Sequence, residues 1–164
     1  MFGVDSDNPE QAKLLAQARD KAIGLLARRE HSRYELRQKL RAFHDQIDVD
    51  SLLDDLAELG LQCDARYAGV LVRSKAQSGY GIQRIRQWAK QNGVAQNDLY
   101  LALEELDHDW FEAARIQRQK HYGLLPPDSM QAKAKQMRYL YNRGFSQDQI
   151  QYAMDAEQGD GAFA

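Results

Sequence analysis

A pattern that recurs three times along the chain is the strongest constraint on its fold. Residues 21–28 and 66–73 align without a gap, and each carries a basic residue, a glycine three positions on, a leucine two beyond it and a closing arginine. Two further apolar patterns follow each segment. A repeat of roughly 45 residues that contains three helical patterns predicts a unit that is stable only when stacked on its neighbours.

The third pattern of each repeat shows the helical period most clearly. Its leucines are spaced i, i+4, i+7, which places them on one helix face; they are Leu52, Leu56 and Leu59 in the first copy and Leu99, Leu103 and Leu106 in the second. A weaker third copy opens at Trp110 and ends with Ile150 and Met154. No segment shows the alternation of apolar and polar residues that is typical of a β-strand. We therefore expect an all-α protein of three tandem three-helix repeat units, forming an elongated, curved, solenoid-like body.

The repeats set the expected domain boundaries. These are an N-terminal extension at 1–18, unit 1 at 19–61, unit 2 at 62–107, unit 3 at 108–157 and a flexible tail at 158–164. Gly93 and Gly144, each followed by an apolar residue, are typical of a helix end that turns through a left-handed glycine. Short polar side chains at Ser32, near Asn97 and at Ser146 indicate helix starts.

Charge is segregated in step with the repeats. All but one of the 22 Lys and Arg residues fall in 19–41, 66–90 and 115–143, the first and second helices of the units. The stretches 42–65, 91–110 and 144–164 contain no Lys or Arg and hold 16 of the 24 acids. A net charge of −2 therefore does not exclude a nucleic-acid partner, because local potential steers association.

Two interpretations of the positive charge stay open: a basic surface that follows a polyanion, or ordinary solvated helix faces. The first predicts a binding surface, which we call the basic ridge. Its sixteen members are Arg28, Arg29, Arg33, Arg37, Arg66, Arg73, Lys75, Tyr80, Arg84, Arg86, Lys90, Arg118, Lys120, Lys135, Arg138 and Arg143. The Gly79-Tyr80-Gly81 segment is either a ligand-contacting junction or a turn in which Tyr80 packs on Trp88; the turn is favoured.

Catalytic and metal chemistry find no support in the sequence. Four histidines are scattered without ligand spacing, and the chain has one cysteine, Cys63. The sequence shows no motif that pairs a nucleophilic side chain with a general base, so we expect neither an enzyme nor a cofactor. The lone cysteine fits a reducing cytoplasm, and the polar N-terminus and short apolar runs predict neither a secretory signal nor a membrane span.

Three ordered segments carry a family resemblance. Residues 28–40 resemble the RecX element R-R-x-H-S-x-x-E-L-x-x-K-L, residues 64–85 are similar to the family's central signature, and Arg143-Gly144-Phe145-Ser146 resembles its closing R-G-F-S. The resemblance spans about residues 19–155. One departure is Trp88-Ala89, which stands where the family's second helix usually ends in Glu-Leu.

The resemblance implies a cytoplasmic, non-enzymatic regulator of the RecA recombinase in homologous recombination, DNA repair and the SOS response. Such proteins lie in the groove of the RecA filament on single-stranded DNA and inhibit its growth, ATPase, strand exchange and co-protease activity. We further expect a monomer whose basic helices bind single-stranded DNA weakly and without sequence preference. Double-stranded DNA stays an open alternative, and no membrane partner is expected.

The alternative is a stand-alone DNA-binding protein. Each joint between second and third helices, such as Gln91-Asn92-Gly93, resembles a helix-turn-helix. In that motif the later helix needs donors for phosphates and base edges. The third patterns here carry acids and no Lys or Arg, which argues against it.

Overall fold

The computed structural model describes the backbone of residues 8–160 and the side chains of residues 8–155. That part of the chain is all-α, with no strand, and confirms three tandem three-helix units. The helices are α1 (Pro9–Arg28), α2 (Arg33–Lys39), α3 (Val49–Glu58), α4 (Asp64–Gln77), α5 (Ile82–Gln91), α6 (Gln96–Leu106), α7 (Trp110–Tyr122), α8 (Met130–Asn142) and α9 (Gln147–Asp160), with a 3-10 turn at Arg41–Phe43 after α2.

Helix starts follow the capping chemistry of the sequence in two of the three expected places. The Ser32 hydroxyl accepts from the Glu35 amide, and the Glu35 carboxylate accepts from the Ser32 amide, a reciprocal capping box. Ser146 and Gln149 form the same exchange at the start of α9. Helix α6 begins at Gln96, beside Asn97 as expected, but no side chain caps its free amides.

Helix ends at the second-to-third joints use glycine as predicted. Gly93 and Gly144 have φ of 71° and 101°, in the region that favours glycine. The following residue turns back onto the helix: the Val94 amide donates to Ala89 O at 2.9 Å and the Phe145 amide to Leu140 O at 3.2 Å. Val94 and Phe145 are buried, so each joint is anchored by an apolar contact as well as by hydrogen bonds.

Each unit has a hydrophobic core of its own. The first is built around Leu36 and Leu53, the second around Val72 and Ile85, and the third around Leu140 and Ile150. Leu52, Leu56 and Leu99 are buried as their spacing predicts. The expected burial of Leu59 is wrong: it is 66% exposed because it lies at the C-cap of α3, where the helix face ends.

The predicted domain boundaries remain proposals. Helix α1 begins at Pro9, so the proposed limit between residues 18 and 19 falls within a continuous helix. The proposed tail at 158–164 lies outside the described side chains, and residues 1–7 of the proposed extension lie outside the described backbone.

Candidate nucleic-acid interface

The structure places the residues of the predicted basic ridge in four different settings. Three of the four in unit 1, together with Arg66 of unit 2, lie against carboxylates. Those near the joint of units 2 and 3 lie against aromatic rings, one is buried, and the other seven are exposed without such contacts. Whether any of them binds a partner remains a proposal. Their settings decide which positive charges an external anion could meet.

Two cations of α2, Arg33 and Arg37, are neutralised within the molecule. Arg33 Nη1 lies 2.7 Å from Asp54 Oδ1, and Arg37 Nε lies 3.4 Å from Asp50 Oδ1. These pairs join the basic α2 to the acidic α3 of the same unit. Surface pairs of this kind contribute little stability. They do neutralise positive charge that, from the sequence alone, would be assumed available to an external anion.

A third pair, Arg29 with Glu35, belongs to a half-buried network at the edge of unit 1. Arg29 Nη2 donates to Glu35 Oε2 at 2.6 Å. Burial works to raise the pKa of Glu35, but hydrogen bonds from Arg29, the Ser32 amide and the Tyr67 hydroxyl outweigh it and hold that pKa below its usual range. The same burial, together with the charge of Glu35, raises the pKa of Tyr67. Glu35 is therefore an anion shared by units 1 and 2.

Further hydrogen bonds between units 1 and 2 also involve side chains. Asp64 Oδ1 accepts from the Arg33 amide at 2.9 Å and from Gln62 Nε2 at 2.9 Å. Arg66 Nε donates to Glu30 Oε1 at 2.9 Å. This joint, which we call joint 1–2, therefore depends on carboxylates.

Aromatic rings replace carboxylates beside two cations of unit 2. Lys75 Nζ lies 4.3 Å and Arg84 Cζ 4.5 Å from the centre of the Trp88 ring. Tyr80 meets Trp88 edge-on at 4.7 Å, as the sequence predicts, and the segment is a turn with Gly79 at φ 86°. Cation–π attraction holds such cations without cancelling their charge.

Arg143 of unit 3 completes this group from across the next joint. Its Cζ lies 3.9 Å from the centre of the Tyr80 ring, and its Nη2 donates to Ser78 O at 2.6 Å. Among the described side chains, Lys75, Arg84 and Arg143 form no ion pair with a carboxylate. We call Lys75, Arg84 and Arg143, with Tyr80 and Trp88, the joint cluster.

Backbone hydrogen bonds hold units 2 and 3 together at this place, which we call joint 2–3. The Gly81 amide donates to Arg143 O at 2.8 Å, and the Gln83 amide donates to Gly144 O at 3.0 Å. A Cβ on Gly81 would stand 2.4 Å from Gly144 C and O, so only glycine fits. Gly81 has φ −89° and is needed for space rather than for conformation.

Seven exposed members of the predicted basic ridge form no ion pair, hydrogen bond or ring contact among the described side chains. They are Arg28, Arg73, Arg86, Lys90, Lys120, Lys135 and Arg138. Arg84 and Arg86 face different surroundings, as their spacing of two residues on one helix predicts.

The exposure predicted for Arg118 is wrong. Its side chain is fully buried; its Nε donates to Gln136 Oε1 at 2.8 Å and its Nη2 donates to Leu125 O at 3.0 Å. It lies one turn after the buried Ala114, on the core face of α7, and that spacing is the sequence signal for burial. Arg118 thus ties α8 and the α7–α8 connection to the core of unit 3.

The third helices do not suit a helix-turn-helix. Helices α3, α6 and α9 contain no Lys or Arg, and the exposed part of α6 carries Glu104 and Glu105 beside Tyr100 and Leu101. Like charges would oppose entry into a DNA groove. Within residues 8–160, no helix is long and apolar enough to span a bilayer.

Comparison with known proteins agrees with this architecture. Family models for the first, second and third three-helix domains of RecX match residues 18–56, 64–103 and 107–154. The chain is 42% identical over 143 residues to the regulatory protein RecX of Halorhodospira halophila, covering 87% of this chain and 89% of that one. It is 44% identical to that of Ectopseudomonas mendocina, over 79% of this chain and 87% of the relative.

A solved structure shows the same fold. The crystal structure of RecX from Lactobacillus salivarius superimposes with a TM-score of 0.73 at 23% identity, over 90% of this chain and 98% of that chain. Three ordered domain matches and relatives above 40% identity over most of their length go beyond a shared fold. This chain therefore belongs to the RecX family and has the regulatory role for which its relatives are named.

Proposed function

We propose that this protein regulates the RecA recombinase by binding the RecA filament on single-stranded DNA. In this proposal it inhibits filament growth, ATPase activity, strand exchange and co-protease activity. The observation that carries the proposal is the match, over nearly the whole chain, to relatives named regulatory protein RecX. All three domains of the family are present and in order.

The geometry supports binding over catalysis. The three units carry separate cores and present exposed cations on α4, α5 and α8, with acids on α3 and α6. A body of linked units can contact successive parts of a filament, and weak contacts then sum through effective concentration. We propose that it acts as a monomer and needs no cofactor.

The direct test is a titration of this protein into RecA on single-stranded DNA with ATP. We expect a saturable fall in the filament ATPase and slower filament extension, because a protein bound along the filament would interfere with both. Unchanged ATPase, nucleation and disassembly at micromolar protein would contradict the proposal.

A set of substitutions tests whether the cations of unit 2 carry the inhibition. Replacing Arg73, Lys75, Arg84 and Arg86 together with Gln should weaken inhibition while helical circular dichroism stays unchanged. The matched set on an acidic helix replaces Asp54 and Asp55 with Asn and Glu58 with Gln. Equal loss of inhibition in both sets would mean that the basic helices have no special role.

A further inference from the structure

The joint cluster holds positive charge that the described part of the molecule does not neutralise. Residues 66–90 contain six cations and no acid, and of these Arg66 pairs with Glu30. By contrast, Arg33 and Arg37 of α2 lie within reach of Asp54 and Asp50. Lys75, Arg84 and Arg143 are each half-buried against Trp88 or Tyr80. A half-buried cation without a counter-charge favours an anion from outside.

The spacing within the joint cluster strengthens this preference. Lys75 and Arg84 both lie within 4.5 Å of the centre of one ring, so their charges are less than about 9 Å apart. That is shorter than the screening length of about 10 Å at ordinary salt, so the two charges repel each other. Bound phosphate would relieve the repulsion and gain charge-assisted hydrogen bonds.

The joint cluster exists only when units 2 and 3 are docked. Arg143 reaches Tyr80 because its own carbonyl accepts from the Gly81 amide and its side chain donates to Ser78 O. The site is therefore shared by two units, and whatever binds there must also stabilise their docking, since linkage is reciprocal.

The chemistry favours a phosphodiester backbone over stacked bases or an acidic protein. Lys75 and Arg84 occupy the Trp88 ring and Arg143 occupies Tyr80, so these rings are not open platforms for bases. Arg84 and Arg143 keep guanidinium donors beyond those used within the molecule. Exposed Arg73, Arg86 and Lys90 add positive charge elsewhere on α4 and α5, and the raised local potential favours a regularly charged strand.

We propose that the joint cluster is a binding site for the phosphodiester backbone of single-stranded DNA, assembled by the docking of unit 3 on unit 2. The inference rests on the proposed function in one respect: the ligand of the joint cluster would be the DNA strand within a RecA filament. Binding to free single-stranded DNA is a separate property and can be measured without RecA.

The first experiment measures the anisotropy of a fluorescein-labelled oligothymidylate with the full chain over a range of salt. Lys75→Gln with Arg84→Gln should weaken binding roughly tenfold and lower the slope of log K against log salt by about 1.4, at 0.7 per lost phosphate contact on a single strand. The charge-matched control is Lys13→Gln with Lys21→Gln, two exposed cations outside the predicted basic ridge that form no ion pair among the described side chains. An equal loss in the control would overturn the site.

A competitor separates the two classes of polyanion. Unlabelled oligothymidylate should displace the labelled strand at much lower charge concentration than poly-glutamate does. Equal displacement by poly-glutamate would assign the cluster to an acidic protein partner and overturn the proposal.

The dependence on docking has a test of its own. Gly81→Ala keeps all three cations of the joint cluster but forces Gly144 away, so it should weaken binding of the oligothymidylate. The oligothymidylate should also raise the thermal midpoint of the natural protein more than that of the Lys75→Gln, Arg84→Gln variant. Undiminished affinity in the Gly81→Ala variant would show that the site does not need the joint.

The outcome is separable from that of the proposed function. If the Lys75→Gln, Arg84→Gln variant keeps both its affinity for DNA and its inhibition of the RecA ATPase, that result contradicts the proposed DNA site but not the proposed function. If that variant loses DNA binding and the natural protein has no effect on RecA, the proposed DNA site is supported and the proposed function is contradicted.

Discussion

Unit 1 and joint 2–3 use the same kinds of cation in opposite ways. In unit 1, Arg33 and Arg37 lie beside Asp54 and Asp50, and these carboxylates neutralise their charge. At joint 2–3, Lys75 and Arg84 lie on Trp88 and keep their charge. The difference shows that the neighbours of a cation, more than the number of cations on a helix, determine where an external anion can bind.

The two joints differ in the same sense. Joint 1–2 is held by carboxylates, with Asp64 accepting from the Arg33 amide and Glu30 pairing with Arg66. Joint 2–3 is held by backbone amides that donate to Arg143 O and Gly144 O. Backbone bonds do not titrate, so acid and salt should loosen the first joint before the second.

The largest loss of stability is expected on replacing Arg118, because this cation is buried inside unit 3 rather than placed at the surface or at a joint. Arg118→Leu should lower the free energy of unfolding by about 3 kcal/mol, because Gln136 Oε1 and Leu125 O then lose a buried donor. Chemical denaturation measures it, with exposed Lys120→Gln as the control that should change stability by less than about 0.5 kcal/mol. A loss no larger than the control's would show that Arg118 does not hold unit 3 together.

Gly81→Ala tests the backbone joint directly. A Cβ there meets Gly144 backbone atoms at 2.4 Å, and overpacking of this kind costs about 2 kcal/mol. The matched change is Gly24→Ala in the exposed interior of α1, where a Cβ meets no atom within 4 Å. That change should stabilise the protein by about 1 kcal/mol, because alanine is the better helix former. Two thermal midpoints that shift in the same direction would contradict this account of joint 2–3.

Glu35→Gln tests the carboxylate network beside joint 1–2. Its loss should cost about 1.5 kcal/mol at neutral pH, because Arg29 and the Tyr67 hydroxyl lose a charged acceptor. A carboxyl whose pKa is lowered on folding stabilises the protein above its unfolded pKa, about 4.3, and that stability disappears as the pH falls through the folded pKa. The variant should therefore lose less stability than the natural protein between neutral and acid pH. Parallel pH profiles would refute the assignment.

His31 adds a second acid-sensitive group to the same region. Burial lowers its pKa, its Nδ1 lies 3.1 Å from Arg29 O, and its side chain is only 2% exposed. Since protonation then favours the unfolded chain, stability should begin to fall as the pH drops below the unfolded value of about 6.5.

The fold could be predicted from the sequence because its signals are local. Leucine spacing, the glycines at 93 and 144 and the serine caps each act within one or two turns of helix. Leu59 was misplaced because periodicity alone does not show where a helix ends.

The candidate site was predictable only in part, because charge compensation is a long-range property. The absence of acids from 66–90 was visible, and it is what leaves the joint cluster positive. The pairing of Arg33 with Asp54 and of Arg66 with Glu30 joins residues 21 and 36 positions apart, which no local pattern reveals. The burial of Arg118 opposite Gln136 likewise depends on how α7 packs on α8.

A map of this protein bound to a RecA filament on single-stranded DNA, obtained by electron cryo-microscopy, tests the central claim most directly. We expect strand phosphates beside Lys75, Arg84 and Arg143, with Arg33 and Arg37 still paired to Asp54 and Asp50. Phosphates against α2, with those ion pairs broken and the joint cluster facing solvent, would contradict it.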